Sequence, residues 1–155
     1  MSRKAPTREE CLVMARSCLS ASLRKTERMV TRHYDEHLAP SGISAVQLPI
    51  LAIIAAAPDA SFRLLAEQLD LDRSTLSRNL GLLERRGLLT LGPSSGPKPG
   101  LIELTAQGRA ALRHAHECWT EAHATLEATL SQNTVADGLA FLKTLRRQLR
   151  NREES

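Results

Sequence analysis

Arg73, Ser74, Thr75, Ser77 and Arg78 crowd a stretch of six residues directly behind Asp72. Arginine matches the O6/N7 edge of guanine, and serine and threonine hydroxyls suit phosphate or either base type. Leu76, Leu80 and Leu83 recur at helical spacing and set one face of this segment in a core. At 100° per residue, Ser74 and Arg78 then lie opposite the leucines, with Arg73, Thr75 and Ser77 flanking them near the helix N-terminus. The amides of such a terminus themselves attract phosphate. A short, cationic, hydroxyl-bearing surface is therefore expected at the start of a leucine-backed helix. On an isolated helix the same pattern would describe an ordinary solvated face.

The remaining reactive side chains point less sharply. Cys11, Met14 and Cys18 are spaced to share a helix face, and Cys118 lies in a later helix. One reading makes these thiols small apolar filler; the other makes Cys11, Cys18 and Cys118 a thiol switch or a soft-metal site. Cys11 and Cys18, two helical turns apart, are too distant to bridge each other within one straight helix. His33 and His37, four apart, could form half of a metal site but lack a fixed third ligand, so no metal and no cofactor is assigned. Trp119 reads as core. Enzyme signatures are missing: there is no glycine-rich phosphate loop, no His-Glu-x-x-His and no Cys-x-x-Cys, so a non-enzyme is expected. The aromatic residues are four, Tyr34, Phe62, Trp119 and Phe141, which argues against a platform that stacks single-stranded bases.

The elements that position these residues follow from local signals. Residues 7–38 hold neither Gly nor Pro and carry apolar residues at helical spacing, so one long helix is expected, closed by Ala39-Pro40-Ser41-Gly42. Ser44 and Gln47 form a capping-box pair ahead of a helix that reaches Ala57, with Pro49 removing one backbone bond. Ser61 caps a short helix over 62–69; Asp72 caps the next, which Gly87 stops. Leu88-Leu89-Thr90-Leu91 and Leu101-Ile102-Glu103-Leu104 flank nine residues with three Gly and three Pro, a hairpin with a long loop. Thr105 caps a helix to about Leu130, and Thr134 opens the last, with Leu139, Leu142, Leu145 and Leu149 on one side.

Helix, tight joint, helix and two-stranded wing in succession describe a winged helix-turn-helix, which presents its second helix to the major groove. The long outer helices carry more apolar surface than one small lobe can bury, and a second copy is the simplest sink. The chain carries a net charge of +4, and residues 61–100 hold six bases against four acids, compatible with a modest polyanion footprint. The charged N-terminus offers no signal peptide, and the apolar run 48–57 is about half a membrane span. A cytoplasmic protein without membrane association is expected.

Several segments also resemble the MarR family of bacterial regulators: Val30-Thr31-Arg32-His33-Tyr34-Asp35, Leu65-Ala66-Glu67-Gln68-Leu69, Asp72 to Arg78, Leu82 to Leu88, and Leu104-Thr105-Ala106-Gln107-Gly108-Arg109. The resemblance runs in order over nearly the whole chain. It implies a mainly α fold with a small β-wing. A winged helix-turn-helix lobe over 44–104 would join a helical dimerisation region, 7–40 and 105–151, in one domain of 1–155. It implies a homodimeric repressor on a pseudo-palindromic operator of double-stranded DNA, released by a small-molecule effector or by oxidation. Carried over by position, Arg73, Ser74, Thr75, Ser77 and Arg78 would meet DNA, Arg78 reading a base. The wing departs from the family's Asp-Arg-Arg run: Gly96-Pro97-Lys98 stands there, leaving Lys98 as the loop's one base and a point charge in place of a planar fork. His33 and Tyr34 would line the effector pocket, and the reactive cysteine of the family's hydroperoxide-sensing branch would fall at Ser20.

Overall fold

The structure, a computed structural model, describes residues 5–57, 59–93 and 100–153. The expected first helix is two. Helix α1 (Arg8–Ser17) opens on a reciprocal capping box, in which Thr7 Oγ1 accepts from the Glu10 N–H and the Glu10 carboxylate accepts from the Thr7 N–H. It ends at Cys18, whose backbone is extended, and α2 (Leu19–Leu38) begins at once. Ser17, Cys18, Ser20 and Ser22 are weak helix formers, and α1 buries no residue whose packing would carry the helix across them. The break removes the expected sulfur stripe, because Cys18 no longer keeps helical register with Cys11 and Met14.

A single 3₁₀ turn (Ala39–Ser41) and Gly42, at φ +69°, close α2. Ser44 and Gln47 cap each other, and Pro49 has no N–H for the carbonyl of Ala45, so regular α3 (Gln47–Ala56) starts one turn after the cap. Helix α4 (Phe62–Leu69) is capped by Ser61 Oγ, which accepts from the Leu64 N–H. Asp70, left-handed at φ +52°, turns the chain into α5 (Arg73–Arg85), capped by Asp72. Gly87, at φ +70°, ends it.

Strands β1 (Leu89–Leu91) and β2 (Ile102–Leu104) pair antiparallel in the register Leu89 to Leu104, Thr90 to Glu103 and Leu91 to Ile102. The Ile102 N–H donates to the Ala60 carbonyl, tying the wing to the entry of α4. Thr105 caps α6 (Ala106–Leu130) through the Gly108 N–H and donates its own proton to the Gly87 carbonyl at 2.6 Å. Ser131, not Thr134, opens α7 (Gln132–Glu153): its hydroxyl accepts from the Thr134 N–H.

One core joins these pieces. Leu38, Ile43, Ile50, Leu51, Leu65, Leu76, Leu80, Leu83, Leu89 and Ile102 are buried together, with Ala115 and Cys118 of α6 laid over them. Helices α1 and α7 stand outside this core. Leu12, Val13 and Met14 on the first and Leu139, Phe141 and Leu149 on the second are exposed. No helix among the described residues is long and apolar enough to cross a membrane.

Candidate nucleic-acid interface

Helices α4 and α5 meet through the Asp70-Leu71-Asp72 joint, and Leu76, Leu80 and Leu83 fix the inner face of α5 in the core. The outer face is as its spacing requires: Arg73, Ser74, Ser77 and Arg78 are exposed and Thr75 is half-buried. Their roles differ. The Arg73 guanidinium lies 5.5 Å from the centre of the Phe62 ring, a cation–π contact that restricts where its fork points. Arg78 makes no polar or ring contact among the described residues and projects freely. Phe62, the first residue of α4, was not singled out from the sequence; its signal was an aromatic at a helix start that the adjoining joint brings under an arginine.

The hydroxyls are already engaged. Asp72 accepts from Ser74 Oγ, from Thr75 Oγ1 at 2.7 Å and from the Thr75 N–H at 2.9 Å. The Ser74 hydroxyl, then the Thr75 hydroxyl and amide, hold its carboxyl well below the usual carboxylate range. So Ser74 and Thr75 keep acceptor lone pairs outward, while their protons and one amide of the helix terminus face Asp72. The exposed positive charge at this end is that of Arg73 and Arg78, with Ser77 beside them. The sequence Asp-Arg-Ser-Thr carried this signal, since hydroxyls two and three residues past a capping carboxylate can both reach it.

Two of the six bases of this lobe hold polar partners within the chain. Arg63 pairs with Glu67 at 3.4 Å on the surface. Arg86 Nη2 donates to the Gly42 carbonyl at 2.8 Å and Nη1 reaches Oε1 of the buried Gln47 at 3.5 Å. Lys98 lies outside the described residues. The pairing of β1 and β2 is extended by the Gly92 N–H, which donates to the Leu101 carbonyl, and the Gly100 N–H, which donates to the Pro93 carbonyl.

The expected sensing residues fall into separate places. Cys11 and Cys18 are exposed, whereas Cys118, on α6, is buried in the core. His33 Nε2–H donates to the Ala122 carbonyl at 2.8 Å and is not among the residues that line the cavity faced by Tyr34. Tyr34 does: between α2, α3 and α6 lies a cavity of about 700 Å³ whose wall includes Tyr34, Leu38, Leu48, Pro49, Leu112 and Trp119. Trp119 thus packs against the core with one part and faces the cavity with another, a correction to its reading as core alone. The indole stacks on His123, ring centres 5.0 Å apart. Glu127 Oε1 lies 3.5 Å from His123 Nε2, and the Tyr34 hydroxyl is hydrogen-bonded to His123 Nδ1 at 3.0 Å. Burial and, secondarily, the Glu127 charge push the Tyr34 phenol up.

A profile of the MarR family matches residues 41–98, the lobe just described. Among solved structures, the transcriptional regulator MosR of M. tuberculosis is 33% identical, with 84% of this chain and 96% of that one covered at a TM-score of 0.71. MosR in complex with DNA aligns at 31% identity, 86% and 98% coverage and a TM-score of 0.72. The transcriptional repressor CouR bound to p-coumaroyl-CoA aligns at 25% identity, 86% and 95% coverage and a TM-score of 0.77. A search among curated proteins finds no match. A leucine-backed recognition helix, a paired wing and a regulator one-third identical over nearly its whole length agree: this chain belongs to the MarR family of winged-helix DNA-binding transcriptional regulators.

Proposed function

We propose that the chain acts as a homodimeric repressor whose two winged lobes, residues 44–104, enter successive major grooves of a pseudo-palindromic operator. In this reading, the helical segments 7–40 and 105–151 hold the copies together, and a small molecule bound beside Tyr34 and Trp119 releases the DNA. The observation that carries the proposal is the pair Arg73 and Arg78, one stacked on Phe62 and one unpaired, on the exposed start of α5. The apolar residues left exposed on α1 and α7 support self-association. The cavity of about 700 Å³ supports a small-molecule effector, as does the binding of p-coumaroyl-CoA by CouR.

Retardation of promoter DNA by wild type, lost in an Arg73→Ala/Arg78→Ala variant that melts normally, is the expected result. Equal retardation by both would overturn the assignment and favour a winged helix used for protein contacts. Binding should also weaken as salt rises, with a slope reflecting several phosphates.

A further inference from the structure

The cavity between α2, α3 and α6 is selective in its chemistry. Its wall contains no Lys, Arg, Asp or Glu among the described residues; leucines, Pro49 and alanines make most of it. Of its polar groups, the Tyr34 hydroxyl is already hydrogen-bonded to His123 Nδ1 at 3.0 Å. The Trp119 indole N–H and the His116 ring, which sits at the exposed rim, complete the set. A carboxylate or phosphate inside would meet no Lys or Arg among the described residues and would lie against leucine, alanine and proline. A flat aromatic would lie against Trp119 and leucine, and one hydroxyl on it would find the Tyr34 oxygen.

From this we infer that the effector is an uncharged aromatic molecule, with at most one hydrogen-bond donor, and not an organic acid. The inference rests on reading this cavity as the effector site, but its test does not need DNA. Trp119 is the chain's one tryptophan. Its fluorescence therefore reports occupancy of the cavity directly.

The probes are nitronaphthalene, a neutral quencher, and nitronaphthoate, its carboxylate analogue, each corrected against free tryptophan amide. Saturable quenching by nitronaphthalene at concentrations at least about 10-fold below those needed for nitronaphthoate is expected, because the anion must shed water without gaining a partner. Ala52→Phe, which adds a ring to the cavity wall, should remove the saturable phase, with circular dichroism reporting its fold. Equal or tighter binding of nitronaphthoate would overturn the inference, as would no saturable quenching by either probe. Quenching by nitronaphthalene without release of DNA would uphold the ligand class and count against the cavity as the regulatory site.

Discussion

The α-carbon of Gly108 faces the main-chain carbonyl of Leu88 so closely that a β-carbon on it would stand 1.8 Å from the oxygen. Neither neighbour can yield. Gly108 lies in the first turn of α6, capped by Thr105, and the Leu88 carbonyl accepts from the Thr105 N–H at 3.1 Å. The contact seats the long helix on the root of the wing.

Gly108→Ala therefore costs stability despite alanine's better helix propensity. Forcing a methyl against a fixed carbonyl is an overpacking defect of about 3 kcal/mol, and it displaces either α6 or β1. Gly138 in α7 has nothing within 4 Å of its would-be β-carbon, so Gly138→Ala should stabilise by about 0.5–1 kcal/mol. Urea denaturation of both variants checks the opposite signs; matching signs would contradict the contact.

Arg73 and Arg78 should fail differently. Arg78 is unrestrained, and Arg78→Ala should lose about 1–3 kcal/mol of operator affinity and relax preference at one base pair. Arg73 is held over Phe62, so Phe62→Leu should weaken DNA binding without removing a charge: the guanidinium remains but its direction is no longer set. Titration against operators carrying single base changes, at fixed salt, separates loss of readout from loss of attraction. A uniform loss across all sequences for Arg78→Ala would make it a phosphate contact instead.

Much of this arrangement was legible in the chain because it is local. Ser61, Asp72 and Thr105 each cap the helix they precede, since a cap needs only a hydroxyl or carboxylate within three residues of an open amide. The leucine face of α5 follows from periodicity alone. The break at Cys18 was not legible: no Gly or Pro marks it, and it arises because α1 has no tertiary packing to override weak propensity. The tie between Arg86 and Gly42 spans 44 residues, and the meeting of Tyr34 with His123 spans 89; no local pattern encodes either. These long-range contacts decide which bases among the described residues are left without a partner in the lobe and how Tyr34 meets the cavity.

The grip of Asp72 on α5 has a pH signature. Its carboxyl titrates below its ordinary value of 3.8 in the folded chain, because the charged form accepts the Ser74 and Thr75 hydrogen bonds. A depressed folded value contributes stability above the unfolded value, and that contribution drains as pH falls below about 4. Thermal melts should show wild type losing stability more steeply over this acid range than Asp72→Asn, which keeps a capping oxygen but has no proton to take up. Parallel curves would mean that the hydroxyls do not depend on the charge.

The outer helices make the last prediction. Phe141 and Leu149 of α7 are 53% and 52% exposed and flank the half-buried Leu145 on one stripe. Half-covered Phe and Leu on an amphipathic helix gain about 1–1.5 kcal/mol each when the rest is buried, and a two-fold interface counts every residue twice. Replacing both with glutamate removes that gain and adds like charges across the axis. If the chain is the proposed dimer, wild type should sediment at twice the mass of a folded Phe141→Glu/Leu149→Glu variant, which should lose operator retardation with Arg73 and Arg78 intact, since a lone lobe would hold one half-site. A variant that remains dimeric would move the interface away from this stripe, toward the exposed Leu12, Val13 and Met14 of α1.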